Sequence, residues 1–184
     1  MDNNLIMEGS DRKVWYAIRT YNHKENEISQ YLTDKGLTNF IPMVYKEKLS
    51  QGGKQKRVLV PAVHNLLFLS KTCTEKEIRN ILGGCNIPLS ILKNSDTGNY
   101  YEIPDYQMVE FRAMCDPGYT GTKYVTKDFA DARPGKEIRV TRGTFKGLTG
   151  KLVQYKSGYF VVKTFAGIGI MLHIPKWYCE VLKK

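Results

Sequence analysis

The first part of the chain switches between strand-like and helix-like spacing of its apolar residues. From Val14 to Tyr21 the residues are mostly aromatic or aliphatic β-formers, which predicts a first strand. Apolar residues then recur three to four positions apart, which predicts a helix. Asn22 is a suitable N-cap because its side-chain carbonyl can accept an early helical N–H, and Lys35-Gly36 predicts the end of the helix.

Three further strands are predicted after this helix. Residues 40–49 and 54–60 favour strands, and the segment Gln51-Gly52-Gly53 between them is a hairpin signal. The fully apolar run 66–69 is typical of a central strand in a sheet.

A second and a third helix follow. Thr74 with Glu77 three residues later forms a capping box, which predicts a helix start. Residues 88–92 favour another strand, residues 96–99 a turn, and Pro104 fits the first position of a third helix. The order β-α-β-β-β-α-β-α predicts an α+β fold, in which an antiparallel sheet carries the helices.

The pattern changes in the last third of the chain. Residues 116–134 contain Pro and Gly without a sustained apolar period, which predicts a flexible linker. Short strand-like runs then recur about every 8–12 residues, as in a small all-β barrel. These runs are 137–140, 148–155, 159–164, 168–174 and 179–182. The sequence therefore predicts two domains, 13–115 and 135–184, joined by the linker.

Charge adds a difference between the two parts. The chain of 184 residues has a net charge of +10, and residues 117–184 hold 13 Lys and Arg against 4 Asp and Glu. Residues 1–116 are nearly balanced, with 15 against 14. A basic excess attracts polyanions, so nucleic acid or an acidic protein face is the expected partner of the last third. A basic surface that only keeps the protein soluble is the alternative.

Several classes of protein are not supported by the sequence. The four cysteines are scattered, without the short paired spacing that a zinc site needs, so we expect reduced thiols, no metal and no cofactor. No apolar run approaches the ~18 residues of a membrane span, and the first residues do not form a signal peptide. We expect a cytoplasmic monomer without a membrane partner.

Catalytic constellations are also missing from the sequence. The three histidines, His23, His64 and His173, are isolated from one another. No Gly-x-Ser-x-Gly motif, phosphate-binding loop or paired-acid motif occurs, so no nucleophile with its base can be assigned. We expect a binding protein and not an enzyme.

A glycine motif near the C-terminus is the most specific local signal. Gly143, Phe145, Gly147 and Gly150 fall at the spacing Gly-x-Phe-x-Gly-x-x-Gly, directly before a strand-like run. Because Gly adopts backbone angles that strain other residues, this spacing predicts a tight loop that leads into a strand. The motif resembles the KOW motif of transcription elongation factors and ribosomal proteins.

Together the two domains resemble the NusG family over about residues 13–183. Trp15-Tyr16 resembles the start of the family's N-terminal NGN domain, 61–69 its signature turn and strand, and 135–147 its KOW domain. The resemblance implies an NGN-like α+β domain followed by a small SH3-like KOW barrel. It also implies a transcription elongation factor that binds RNA polymerase.

At two positions the sequence departs from the usual pattern of the family, which makes it similar to the specialised members. Val63 stands where an aromatic residue is usual, and His64 stands where Pro is usual. With the basic C-terminal part, these departures make the chain similar to the UpxY and RfaH type of antiterminator. That similarity implies suppression of pausing or termination at specific operons, such as capsular polysaccharide loci.

In the family, an apolar depression of the N-terminal domain binds the paired clamp helices of the largest polymerase subunit. By position, the resemblance assigns this contact to Tyr16, Val63, Leu66, Phe68, Met108 and Phe111. Grooves that bind helices need such contiguous apolar anchors, and Met adapts well to them. The alternative is that the six residues belong to an ordinary core.

Two further contacts are implied by position. The contact to the polymerase gate loop would lie at Thr74, Glu75 and Lys76, which depart from the His-Thr-Thr form of RfaH. Contacts to the non-template DNA strand would involve Asn22, His23, Lys24, Arg79 and Asn80. Their amides, imidazole and cations suit base edges and phosphates.

The KOW domain of the family binds a ribosomal protein or the termination factor Rho, and its basic residues here could also contact RNA. A different class of function remains open on this basis: an RNA-binding or ribosome-associated KOW protein that does not act on polymerase.

Overall fold

A computed structural model describes residues 13–49, 53–94 and 97–183. In chain order, the strands are Val14–Thr20 (β1), Asn39–Phe40 (β2), Met43–Leu49 (β3), Gln55–Pro61 (β4), Leu66–Ser70 (β5), Leu89–Ile91 (β6), Glu102–Pro104 (β7), Thr122–Thr126 (β8), Lys136–Val140 (β9), Thr149–Tyr155 (β10), Gly158–Phe165 (β11), Ile168–His173 (β12) and Cys179–Val181 (β13). The α-helices are Glu25–Asp34 (α1), Glu75–Gly83 (α2), Asp105–Met114 (α3) and Lys127–Asp131 (α4). A 3-10 turn at Lys176–Tyr178 precedes β13.

The N-terminal sheet has the strand order β2-β5-β1-β6, and all its pairings are antiparallel. β6 pairs with the second half of β1, and β7 pairs with its first half. Because β5 lies between two strands, all five of its residues are buried. The prediction of a central strand at 66–69 is confirmed.

Helices α1 and α2 pack on one face of this sheet. Their apolar stripes join the inward residues of β1 and β5 in one core cluster: Tyr16, Ile18, Ile28, Leu32, Leu37, Leu67, Leu69, Ile78 and Leu82. Fully burying an aliphatic side chain of this kind contributes about 1.5–3 kcal/mol, so the cluster is a main source of stability for the sheet.

The helix ends agree only in part with the sequence prediction. The Thr74–Glu77 capping box at α2 is confirmed, and Gly36 has the positive φ of 75° that ends a helix. Asn22 does not cap α1, because the N-cap is Lys24, which makes no side-chain cap hydrogen bond. Asn22 itself has a φ of 56°, a left-handed conformation that Asn tolerates and that puts it in the preceding turn.

Strands β3 and β4 form a two-stranded ribbon of their own, as the hairpin signal predicts. Seven residue pairs connect them, from Met43 with Pro61 to Leu49 with Gln55. The predicted turn at residues 51 and 52 lies outside the described residues, as does residue 96 of the predicted turn 96–99.

Two compact units emerge from the distribution of contacts. The first takes in the described residues up to Ile41 together with Asn65–Met108. The second takes in Pro42–His64 together with the residues from Val109 onward. The sequence predicts a boundary near residue 115. The division by contacts falls inside α3 instead, between Met108 and Val109.

The C-terminal sheet is six-stranded and antiparallel, with the order β13-β9-β10-β11-β12-β8. The five strands predicted after residue 135 are all present. With an N-terminal sheet that carries helices and a C-terminal part built on strands, the predicted α+β class is confirmed.

The stretch 116–134 is not a structureless linker. It contains β8, which pairs with β12 over five residues from Thr122 to Thr126, and α4, whose Ala130 is buried. Gly169 of β12 lies under α4, because a Cβ there would be 2.6 Å from the Cβ of Ala130. The Pro and Gly residues at the ends of this stretch suggest a linker, whereas the β-formers between them pair with the sheet.

All four cysteines are free thiols. Burial raises the pKa of the Cys115 thiol to about 12, so this group is protonated at neutral pH. No helix in the described ranges combines the length and apolar character needed to cross a bilayer.

Candidate functional site

The residues assigned to the polymerase contact do not share one face of the N-terminal sheet. Tyr16 pairs with Leu69 and Ala17 with Phe68 in the β1–β5 register. Successive residues of a strand face opposite sides, so Tyr16 faces α1 and α2 while Phe68 faces away from them. Both side chains are completely buried.

Tyr16 lies at the edge of its core, where a polar group can reach its hydroxyl. The hydroxyl donates to Glu102 Oε1 at 3.4 Å, and Glu102 Oε1 also accepts from Lys71 Nζ at 2.8 Å. Burial raises the pKa of Tyr16, and the hydrogen bond to Glu102 raises the pKa of Lys71. The phenol thus ties β1 to β7 and is not an open binding surface.

On α3, the two assigned residues are also buried. Met108 is completely buried, and Phe111 is 1% exposed. The Phe111 ring stacks on that of Phe165, with centroids 4.2 Å apart and an interplanar angle of 17°. Beside this stack, Lys163 forms an ion pair with Glu110. The C-terminal half of α3 is therefore covered by residues of β11.

The exposed apolar residues of α3 are different ones. Tyr106 is 68% and Val109 58% exposed. They are three positions apart, so they lie next to each other on the helix surface. Neither residue is among the family positions, and in the sequence only their helical spacing from Met108 and Phe111 distinguishes them.

Val63 and Leu66 belong to the turn and strand segment 61–69. Val63 is half-buried, and Leu66 is 7% exposed. Between them, Asn65 has a φ of 60°, a left-handed conformation that suits Asn. The left-handed backbone at this turn position thus explains why Asn occupies it.

Asn65 fixes the turn that carries the proposed DNA-binding residues. Its backbone carbonyl accepts from Thr20 N at 3.0 Å, and its side-chain Oδ1 accepts from the backbone N–H of His23 at 3.2 Å. The backbone N–H of Asn65 donates to Glu25 Oε1, and Glu25 is only 1% exposed. Sequence reasoning missed both Glu25 and Asn65 as supports of this turn.

The turn itself presents polar side chains to solvent. Asn22 and His23 are exposed, and both have left-handed φ values, 56° and 55°. Lys24 Nζ lies 2.5 Å from Glu27 Oε1. Two consecutive left-handed residues turn the chain sharply between β1 and α1, so these side chains stand at the end of the sheet.

The start of α2 holds the residues assigned to the gate loop. Thr74 Oγ1 accepts from Glu77 N at 3.3 Å, and Glu77 Oε2 accepts from Thr74 N at 2.8 Å. The hydrogen bonds from Thr74, first its hydroxyl and then its backbone, lower the pKa of Glu77. Lys76 is exposed and Glu75 pairs with Arg79, so this end of α2 carries both signs of charge.

Arg79 and Asn80 are exposed on α2. Arg79 lines a polar cleft of about 540 Å³ together with the segment that follows β6; its lining residues are Glu75, Arg79, Lys93, Gly98, Asn99, Tyr100 and Glu102. The Arg79 guanidinium lies 5.4 Å from the Tyr100 ring centroid, a cation–π distance. None of the described turn residues 22–24 lines this cleft, so the structure does not bring the two halves of the proposed DNA site into one pocket.

In the C-terminal sheet, the glycine motif forms the predicted tight loop before a strand. Gly143 and Gly147 have φ values of 78° and 95°, and Gly147 N donates to Val140 O at 2.7 Å. Phe145 is 9% exposed and meets Tyr119 edge to face at 4.9 Å. Gly150 serves another purpose, because a Cβ there would be 2.9 Å from Val162 O on β11. The predicted loop geometry is confirmed.

Cations and aromatic rings alternate where α4 and the residues after it meet β8, β10 and β11. The Arg133 guanidinium lies 4.2 Å from the Phe129 ring and 4.7 Å from the Tyr155 ring. Lys123 Nζ lies 4.8 Å from the Phe160 ring. Phe160 is buried, whereas Tyr155 and Arg133 are half-buried and Lys123 is exposed. We call these five residues the cation–aromatic cluster.

The N-terminal sheet is backed by helices and presents polar turns, and the C-terminal part is a second sheet in a basic stretch of the chain. Residues 13–112 match the family described as "Transcription termination factor nusG", and this match spans more than half of the chain. The chain therefore belongs to the NusG family of transcription factors. No significant match to a curated protein was found.

Proposed function

We propose that this chain is a transcription elongation factor that binds RNA polymerase and suppresses pausing or termination at particular operons. The observation that supports it best is the family match over 13–112, because it coincides with the helix-backed sheet and its Asn65 turn. The departures at Val63 and His64 favour a specialised UpxY- or RfaH-like antiterminator, acting on operons such as capsular polysaccharide loci.

The polymerase contact is proposed to use α3. Tyr106 and Val109 offer an exposed apolar pair that suits docking against a helix. Of the six residues assigned by the resemblance, Phe111 could join this contact only after its stack with Phe165 separates. The other five residues assigned by the resemblance are proposed to contribute to this contact only indirectly, since all but Val63 are buried: Tyr16, Val63, Leu66, Phe68 and Met108.

Two further contacts complete the proposal for the first unit. The turn at Asn22, His23 and Lys24, with Arg79 and Asn80 on α2, would contact the displaced non-template DNA strand. The start of α2 at Thr74, Glu75 and Lys76 would face the gate loop. Its exposed Lys76 and the paired Glu75 offer polar and charged partners there.

Residues 135–184, which lie within the second unit, are proposed to be the KOW domain that recruits another partner. Its glycine motif has the loop geometry that the motif predicts, and its basic excess suits an acidic protein face or RNA. A ribosomal protein, Rho and RNA are the candidate partners.

The test is a reconstituted elongation assay with purified RNA polymerase and the full chain. We expect the chain to bind elongation complexes and to raise read-through at pause and termination sites. The double variant Tyr106→Ala, Val109→Ala should weaken polymerase binding at least about tenfold, since exposed apolar anchors dominate such contacts. Tyr101→Ala, which removes another exposed tyrosine outside α3, is the matched control and should bind normally.

A second candidate function has support in the cation–aromatic cluster. Rings beside cations are typical of surfaces that contact single-stranded RNA, so a ribosome-associated RNA-binding protein is the competing proposal. Binding to ribosomes or RNA with no affinity for polymerase would favour this candidate and reject the elongation factor.

A further inference from the structure

The β3–β4 ribbon carries an unusual arrangement of lysines. In its register Lys48 lies directly opposite Lys56, and Lys46 lies two residues before Lys48 on the same face. Directly opposite side chains in such a pair have their Cβ atoms about 4.5–5.5 Å apart, and like charges in this position repel each other. The nearly balanced charge of residues 1–116 as a whole conceals this local cluster.

Among the described residues, these three lysines have no counter-charge close by. Lys46, Lys48 and Lys56 are exposed, and no carboxylate of the described ranges lies within ion-pair distance of them. The ribbon segment 43–61 contains five basic residues and one acidic residue. That acid, Glu47, lies opposite Arg57 and therefore on the other face. A face that keeps its repulsion uncompensated in the free protein is suited to an anionic partner.

The other residues of the lysine face narrow the choice of partner. They are Val44, Val58 and Val60, so this face has no aromatic ring on which a base could stack. The ring of the ribbon, Tyr45, lies on the opposite face, where the Arg57 guanidinium covers it at 4.2 Å. Lysines without rings suit phosphates and not single-stranded bases.

The shape of the ribbon favours binding to duplex DNA over binding to duplex RNA. A two-stranded β-ribbon fits the major groove of B-form DNA, about 12 Å wide, whereas the major groove of A-form RNA is too narrow and deep. Along one strand, residues two apart are separated by about 6.8 Å, so Lys46 and Lys48 can reach different phosphates.

We propose that the lysine face of the β3–β4 ribbon is a docking site for double-stranded DNA, held through its phosphates by Lys46, Lys48 and Lys56. Recognition is independent of base sequence, since these lysines contact phosphates and phosphate contacts carry no sequence information. The site goes beyond the proposed polymerase contact and beyond the single-stranded DNA contact at the turn 22–24.

The experiment measures binding of the full chain to a fluorescent DNA duplex of about 25 bp by anisotropy, over about 50–200 mM salt. The double variant Lys48→Gln, Lys56→Gln should bind at least about fivefold more weakly, and its salt slope should fall by about 2, because each phosphate contact contributes about 0.9. Lys48→Arg, Lys56→Arg should bind like the unchanged chain. The Gln variant should melt at the same or a higher temperature, since it removes the repulsion between opposite lysines.

The matched control is Lys127→Gln, Lys136→Gln, which removes the same charge from exposed positions outside the ribbon. Unchanged affinity and salt slope in the ribbon variant, or an equal loss in the control, would overturn the proposal. Equally tight binding of single-stranded DNA or of an RNA duplex through the same lysines would also overturn it. Because the assay contains no polymerase, its failure leaves the proposed elongation function untouched.

Discussion

Glu25 begins helix α1, yet its carboxylate is buried behind the turn that it supports. It accepts the backbone N–H of Asn65, whose side chain in turn accepts the backbone N–H of His23. A buried donor that loses its acceptor costs the full desolvation of that group. Glu25, through Asn65, therefore joins the β1–α1 turn to the turn before β5.

We predict that Glu25→Ala lowers the free energy of unfolding of the first unit by about 1–3 kcal/mol, because the part-buried Asn65 N–H would lose its acceptor. The measurement is urea denaturation followed by the fluorescence of Trp15, which is buried in this unit. Glu27→Ala removes an equivalent acid from the same helical turn, but its ion pair with Lys24 is exposed, so we expect less than about 0.5 kcal/mol. Equal effects of the two variants would contradict the structural role of Glu25.

At the scale of elements, the contact between α4 and β12 shows how the stretch after α3 is held. A Cβ on Gly169 would approach Ala130 Cβ to 2.6 Å and Val125 Cγ2 to 2.7 Å. Lys151 Nζ also donates to the backbone carbonyl of Ala130 at 2.9 Å. Helix α4 thus packs closely on the sheet, and β8 pairs closely with β12, at a position of β12 that has no side chain.

We predict that Gly169→Ala destabilises this packing by about 1–3 kcal/mol, as overpacking of a close contact does. The measurement is hydrogen exchange, in which the amides of β8 should lose protection before those of β10. Gly83→Ala is the control, since nothing lies within 4 Å of a Cβ at this helical position, and it should be neutral or slightly stabilising. Retained protection in β8 would show that the close contact tolerates a methyl group.

At the scale of the whole molecule, the two units differ in charge and in what they offer a partner. Most of the basic excess lies in residues 117–184, within the second unit. This unit also buries Phe111, one of the residues that the family resemblance assigns to polymerase binding. The Phe111–Phe165 stack therefore links the packing of the second unit to the proposed function of the chain.

We predict that Phe165→Leu strengthens polymerase binding about two- to tenfold, because it removes a stacked pair worth about 0.5–1.5 kcal/mol and makes Phe111 easier to expose. Binding to polymerase by the full chain is the measurement. Phe160→Leu is the matched control: Phe160 is buried in the same sheet, but it meets Tyr155 and His173. No gain with Phe165→Leu would indicate that Phe111 serves only as core.

Elements whose signals are local could be predicted from the sequence. The capping box at Thr74 and the glycine spacing from Gly143 determine short-range hydrogen bonds and backbone angles, and both have the predicted geometry. β8 could not be predicted, because a five-residue strand among Pro and Gly is specified by its partner β12 and not by its own pattern.

The candidate site depended more strongly on long-range pairing. Whether Tyr16 and Phe68 face the same side follows from the β1–β5 register, which no local pattern encodes. The same holds for Lys48 and Lys56, which are separated in the chain and meet only through the pairing of the ribbon. Glu25 looks like an ordinary first-turn acid until Asn65 is placed beside it.

The pairing of β8 with β12 has a practical consequence for anyone who expresses the C-terminal sheet alone. A fragment cut at the beginning of β9, where the sequence suggests a boundary, would lack β8 and leave the outer side of β12 bare. Unpaired N–H and C=O groups on such an apolar strand are a template for another chain. Such a fragment is expected to self-associate, while one that begins before Thr122 retains its own protecting strand.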